Sequence, residues 1–335
     1  MRAVVVEEFG PPEMMVVRDV VEPTPSPGEV LIRVAAAALN YPDVLVVSGS
    51  YQTLPERPFS PGKEIAGVVS ALGAGVTRFA VGDRVAAQLE HGGYAERIAV
   101  AEDLVVPVPG GVGLDVAATA GLVCATAHYA LRRRAALAPG ETVLVTGATG
   151  GVGTAAVQLA KAWGATVIAT ADDAVRADVL RSQGADHVIA PDPATLRDEV
   201  RALTHGRGVD VAIEALGGVI FTQTLRSMAW EGRLVVVGFA TGDVPTLKVG
   251  HVLVKNIAVT GLQVSDYRDR APREFSAVIS EVLELVAEGR LNMPIAARFP
   301  LEETPRALGM LASRQLRGRI VVEPTDPAPR SVGEV

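Results

Sequence analysis

The sequence predicts an α/β protein of two parts, one β-rich and irregular, the other a doubly wound parallel sheet. Three observations carry this. Residues 1 to about 110 read as short β segments punctuated by Gly and Pro. From about residue 112, alanine-rich helical segments alternate with short Val/Ile strands, and after about residue 262 that alternation stops. A chain of 335 residues accommodates about two domains.

The β-rich part contains the segments AVVVEE, EVLIRVAAAAL, IAGVVSAL, DRVAAQL, AERIAV and LVVPVP. Turn signals (PSPGE, VGD, HGG) recur between them. The second part carries VLVT (143–146), TVIAT (166–170), HVIA (187–190), VDVAIEA (209–215) and RLVVVGFA (233–240). Helix-length segments separate these runs. Almost wholly apolar strands alternating with helices indicate a parallel sheet covered on both faces. An amphipathic helix near 272–289 follows, then LNMPIAARFPLEE, a second helix and a final strand, GRIVVEP. The closing DPAPRSVGEV reads as a frayed tail.

Composition excludes several function classes. Hydrophobic residues at 49% and charged residues at 21% are ordinary for a soluble protein. Apolar runs such as VAAAAL (34–39) fall far below the roughly 18 residues of a spanning helix. MRAVVVEEFG lacks the apolar core of a signal peptide, so no membrane span and a cytoplasmic location are expected. A net charge of −7 and 4% aromatics argue against a nucleic-acid surface. The single cysteine, Cys124, forbids an intrachain disulfide and a cysteine-rich zinc site.

The strongest local signal is VLVTGATGGVGTAAVQLAKAWGATVIAT. An apolar strand enters a glycine-rich turn, then a helix, then another strand, the context a dinucleotide fingerprint requires. Such a turn presses backbone N–H groups against a pyrophosphate at a helix N-terminus, where side chains would obstruct it. Against G-x-G-x-x-G the three positions are Ala148, Gly150 and Gly153, with Gly151 and Val152 between the last two. Asp172, which follows Ala171 just past the next strand's end, stands near the place of a ribose-binding acid. Arg176, a turn later, suits a 2′-phosphate. Both equally suit ordinary helix-start charges, so these residues leave NADPH and NADH open.

The motifs AALNYPDVLVVSGSY, PGKEIAGVV, VGDRV, GGYAE, ATGGVG, QGADHVI, GVDVAIEALGG and LRGRIVV occur in this order. In them the chain resembles the zinc-independent quinone oxidoreductases of the medium-chain dehydrogenase/reductase superfamily, the group that includes zeta-crystallin. The resemblance runs from residue 1 to about 323. It implies a discontinuous GroES-like catalytic domain (1–119 and 263–335) and a Rossmann domain (120–262), with the active site in the cleft. It also implies a homodimer paired through the nucleotide domains, with LVVVGFA leading toward the sheet edge. In zinc-dependent relatives the positions of Lys63, Asn40 and about Leu122 carry the His and two Cys that bind the catalytic metal. An ammonium and a neutral amide are poor substitutes, so no zinc is expected. Lys63 then reads as a structural or solvent-facing charge, and Glu64 as bonding backbone nearby.

Without a Lewis acid, the acceptors that can hold the incoming charge themselves are quinones, activated enones and enoyl thioesters. By resemblance the candidate proton donors are Tyr51, at the place of a catalytic tyrosine in 2-enoyl-thioester reductases, and Tyr41; either also fits plain packing. Asn40 is expected near the nicotinamide ribose or the substrate oxygen, and Thr126 at the nicotinamide end. Gly238 and Phe239 form a loop at a strand's carboxyl end, Asp43 is a supporting residue, and Tyr94 lines the acceptor pocket or packs the β domain. Pro191 departs from the tyrosine that many NADPH-dependent members carry there, but Arg176 aligns with their basic residue and keeps NADPH ahead of NADH. The resulting expectation is NAD(P)H-dependent quinone reduction, with enoyl-thioester or enone reduction as the alternative. A cofactor-binding protein with little turnover is the third reading.

Overall fold

A computed structural model describes residues 1–313 and 318–324. The expected tail at 326–335, and the first two residues of LRGRIVV, lie outside the described residues.

The strands and helices follow in chain order. The first stretch holds β1 (Arg2–Val5), β2 (Val16–Asp19), β3 (Glu29–Ala38), helix α1 (Tyr41–Val47) and β4 (Glu64–Leu72). Next come β5 (Arg84–Gln88), β6 (Arg97–Ala101), β7 (Val105–Pro107) and α2 (Leu114–His128). The alternating region is β8 (Thr142–Val145), α3 (Gly151–Ala162), β9 (Thr166–Thr170), α4 (Ala174–Ser182), β10 (His187–Ile189) and α5 (Leu196–Leu203). It continues through β11 (Val209–Glu214), α6 (Gly218–Ser227), β12 (Met228–Val236), α7 (Val249–Lys255) and β13 (Ala258–Gly261). Helices α8 (Val264–Arg270) and α9 (Pro272–Ala287), strand β14 (Ile295–Pro300), helix α10 (Thr304–Ala312) and strand β15 (Arg319–Glu323) complete the chain.

These elements form two compact units. One comprises Met1–Leu122, Tyr267–Ala287 and the chain from Met293 on; the other comprises Val123–Asp266 with Glu288–Asn292. Helix α2 therefore runs across the boundary between the units rather than beside it.

In the first unit a seven-stranded sheet runs β14-β15-β3-β4-β5-β7, with β6 also on β3, and β1 and β2 form a separate hairpin. Only β14 and β15 pair in parallel; the other pairs are antiparallel. Alternate residues of β3, β4 and β5 (Ile32, Val34, Ile65, Val85) face one core, joined by Tyr94 and Leu308.

In the second unit all six strands are parallel, in the order β10-β9-β8-β11-β12-β13. The order reverses between β8 and β11, the place where ligands of open α/β sheets settle. Leu144, Ile168, Leu196, Phe221 and Leu234 fill this unit's core. LVVVGFA lies in and just after β12, the penultimate strand; the sheet edge is β13, which the sequence reading passed over. One continuous helical stretch, Leu114–Arg134, is long and apolar enough by composition to cross a membrane, but 83% of that window is buried in the structure.

Candidate active site

The glycine turn joins β8 to α3. An ideal Cβ on Gly153 would lie 2.4 Å from the Gly147 carbonyl oxygen and 2.5 Å from Ala148 Cα. Backbone therefore occupies the space, and only glycine fits. Gly150 differs: its nearest neighbour is the Gly147 oxygen at 3.5 Å, so its side is open. Gly150 is also the N-cap of α3 and supplies no side-chain bond to the helix. The first-turn N–H groups of Gly151, Val152 and Gly153 thus lack the usual cap, and the helix dipole favours an anion there. Ala148 is fully buried.

A buried carboxylate ties Thr146, just before this turn, to the turn that follows β11. Glu214, at the end of β11, accepts from Thr146 Oγ1 (3.1 Å) and from the N–H groups of Leu216 (3.0 Å) and Gly217 (3.1 Å). Thr146 Oγ1 in turn accepts from Ala215 N at 3.2 Å. Burial pushes the Glu214 carboxyl up, against the pull of those donors. The 215–217 turn also carries the loop after β12: Ala240 N donates to the Ala215 carbonyl (2.9 Å) and Thr241 N to that of Leu216 (3.0 Å). Gly238 and the half-exposed Phe239 sit in that loop. Glu214 escaped the sequence reading, although an acid ending an apolar strand before two glycines is a legible signal of a buried polar anchor.

At the end of β9, Thr170 Oγ1 accepts from Gly147 N at 3.1 Å, tying the two strand ends together. Arg176 donates from one guanidinium nitrogen to both carboxylate oxygens of Asp172, each at 2.6 Å. Asp173 caps α4 through Arg176 N at 2.8 Å. The two candidate ribose and phosphate partners are therefore paired with each other. Thr126 is buried on α2.

In the first unit a second polar cluster is buried. Glu64, 1% exposed, accepts from Leu122 N (2.7 Å), from Asn40 Nδ2 (2.9 Å) and from the Arg319 guanidinium. Arg319 also donates to Asn40 Oδ1 at 2.9 Å. Burial raises the Glu64 carboxyl, with the Arg319 charge opposing it first. Both ends of the Asn40 amide are thus engaged inside this cluster, which fixes its side chain. Tyr41, the first residue of α1, is exposed. Tyr51 is half-buried against the core.

Residues 26–110 match the alcohol dehydrogenase GroES-like domain and residues 151–284 the zinc-binding dehydrogenase model. A quinone oxidoreductase-like protein 2 homolog of Nematostella vectensis is 35% identical over 326 residues, which cover 96% of this chain and 88% of the relative. The chain belongs to the quinone oxidoreductase-like group of the medium-chain dehydrogenase/reductase superfamily. An Escherichia coli quinone oxidoreductase solved in complex with NADPH superposes with a TM-score of 0.89 at 28% identity, covering 97% of this chain and all of that one. A mycocerosic acid synthase-like polyketide synthase of Mycobacterium tuberculosis is 34% identical over 299 residues, 89% of this chain but 14% of the synthase.

This quinone oxidoreductase-like chain carries a donor set that does not suit zinc. Lys63 is buried, at 2% exposure, so of the two readings offered for it the structural one holds and the solvent-facing one does not. Its Nζ donates to the Glu90 carbonyl (3.0 Å) and to Glu90 Oε1 (2.6 Å), so a carboxylate 27 residues on neutralises it. Glu64 is fixed by Arg319, and among the described residues no group of three or more His, Cys, Asp and Glu could hold a metal ion. The Gly150–Gly153 turn, by contrast, presents backbone N–H groups and an open Gly150 side of the kind a pyrophosphate needs. Sequence reasoning missed Arg319 and Arg268, because Glu64 and Glu90, the carboxylates they meet, lie far off in the chain.

Asp43 gives the quinone oxidoreductase-like chain a built-in pH dependence. Its Oδ2 accepts from Asn40 N and from the buried Tyr94 hydroxyl, both at 2.9 Å, so Tyr94 packs the β core. Burial first, opposed by the Lys63 charge and these hydrogen bonds, pushes the Asp43 carboxyl from 3.8 up to about 6. The folded state then holds this proton more tightly than the unfolded chain does. Stability consequently falls as pH rises from about 4 to about 6 and is flat above. The shift amounts to on the order of 3 kcal/mol at neutral pH. Asp43→Asn keeps an oxygen for both donors and removes the charge. Melting temperatures of the two proteins, measured from pH 4.5 to 7, should diverge in the variant's favour as pH rises; parallel profiles would refute the shift.

Proposed function

We propose that the chain reduces quinones with NADPH, and that the acceptor delocalises the charge without help from a metal. The supporting observation is the buried Lys63–Glu90 pair, which fills with a cation the position where zinc-dependent relatives place a ligand. NADPH, when bound, supplies the hydride. The chain's own residues do the rest. The first-turn N–H groups of α3 receive the pyrophosphate, and Glu214 keeps their turn and the 238–241 loop in register. Thr126 contacts the nicotinamide end, and Arg176 meets the 2′-phosphate in exchange for Asp172; that exchange leaves room for NADH as a second donor. In this reading residues 1–119 with 263–335 bind the acceptor and 120–262 the cofactor, in a cytoplasmic homodimer. Purified protein should oxidise NADPH with 1,4-benzoquinone, tested beside NADH, at a rate indifferent to chelators. A requirement for added zinc would overturn the proposal.

The second reading, reduction of enones or 2-enoyl thioesters, is favoured by Tyr51 and by the similarity to part of a polyketide synthase. An enolate needs a proton more than a hydroquinone anion does, since the latter is aromatic and stable. Tyr51→Phe should therefore lower enone reduction by about 10²-fold or more, the range of a positioned general acid, and quinone reduction only a few-fold. Equal losses on both acceptors would remove Tyr51 as the discriminating residue. Tyr41, exposed at the start of α1, is the weaker candidate for the same proton.

A further inference from the structure

Lys63 stands just before β4 and Tyr51 in the loop after α1, yet the two meet. Lys63 Nζ lies 4.8 Å from the centroid of the Tyr51 ring. The same ammonium is held by the carbonyl and the carboxylate of Glu90. Glu90 is braced from its other side by Arg268, whose guanidinium stands 2.9 Å from Oε2, and Arg268 is itself fixed to Asp269 at 2.7 Å. The Lys63 side chain is 3% exposed and that of Arg268 5%, so neither cation can swing into water. The cluster's field reaches His91, whose proton affinity is lowered first by burial and then by Lys63 and Arg268, against Glu90.

A buried ion pair is seldom the cheapest way to fill a core. Apolar residues of equal volume serve stability as well or better. A lysine clamped by a carboxylate and pressed on one aromatic ring is therefore placed for what it does to that ring. We propose that Lys63 is a positioning residue for Tyr51. The fixed ammonium holds the phenol by its π face, so that Tyr51 rather than water delivers the proton completing reduction. This rests on the role proposed for Tyr51 above. In that step the acceptor gains hydride at carbon, leaving oxidised nicotinamide, and an electron pair moves onto the acceptor oxygen. The Tyr51 O–H bond breaks, a new O–H forms on the acceptor, and the phenolate left behind takes a proton from solvent; the enol formed from an enone then ketonises by gaining a solvent proton at its α carbon and losing the one on oxygen. While the phenolate exists, its charge faces Lys63 across the ring.

The test is a double-mutant cycle on kcat/KM for an enone with saturating NADPH, using wild type, Lys63→Met, Tyr51→Phe and the double variant. Lys63→Met leaves Glu90 paired with Arg268, so no charge is stranded. It should lower kcat/KM by roughly tenfold in the wild type and by nothing further in the Tyr51→Phe background. Lys63→Arg should recover most of the loss, and NADPH titration should be unchanged. Should Lys63→Met not fold, Lys63→Gln, which still reaches Glu90, takes its place. Equal losses in both backgrounds would overturn the inference while leaving Tyr51 as the acid. A Tyr51→Phe variant at full rate would overturn both.

Discussion

Gly153→Ala is expected to weaken NADPH binding by about 10²-fold or more. The new methyl carbon would need space held by the Gly147 carbonyl oxygen at 2.4 Å, Ala148 Cα at 2.5 Å and the Ala148 carbonyl carbon at 2.9 Å. All three are backbone atoms, so no side chain can rotate away. Either the turn opens or the start of α3 shifts, and both move the N–H groups meant for the pyrophosphate. Losing two charge-assisted hydrogen bonds of about 2 kcal/mol each amounts to roughly three orders of magnitude at most. Gly150→Ala is the control, since a Cβ there meets nothing closer than 3.5 Å within the chain. It should leave the melting temperature untouched and act only on the ligand. Fluorescence titration with NADPH, beside thermal melts, separates the two. A Gly153→Ala protein that binds NADPH as the wild type does would show that the turn is not the cofactor cradle.

Glu64→Ala should destabilise the first unit by about 3–5 kcal/mol, the usual cost of stranding one partner of a buried pair. Among the described residues Arg319 would keep the Asn40 amide oxygen alone, and the bond from Leu122 N to Glu64 would be lost. Glu64→Gln retains an oxygen for Leu122 and should cost less. Urea unfolding followed by circular dichroism measures both. Equal midpoints for Glu64→Ala and wild type would mean that the pair contributes nothing.

The parallel sheet was legible because each strand is a short apolar run between helix-length segments, as with VLVT and TVIAT. Strand β13 was not. AVTG is four residues long and half-exposed, with no pattern to separate it from a loop. Helix α1 hid in YPDVLVV, whose β-branched residues speak against a helix; Pro42 in the first turn and Asp43 accepting from Asn40 N overrule them. The glycine turn was readable residue by residue, since sterics fix its composition locally. The acceptor side was not, because its chemistry is a matter of distant partners. Glu64 meets Arg319 across 255 residues, and Lys63 meets Glu90 across 27. A sequence displays a charge but not the counter-charge that buries it.

The place of β15 in its sheet governs how the chain can be made. It lies between β14 and β3, and its Arg319 closes the cluster around Glu64. During translation the first 122 residues leave the ribosome with that slot empty, while the second unit, nearly continuous from Val123 to Asp266, already has every strand of its sheet. The middle segment can therefore complete its sheet before the amino-terminal one, against the usual order in which N-terminal domains fold first. The amino-terminal strands pair with one another early, but their sheet closes only when Arg319–Glu323 arrives.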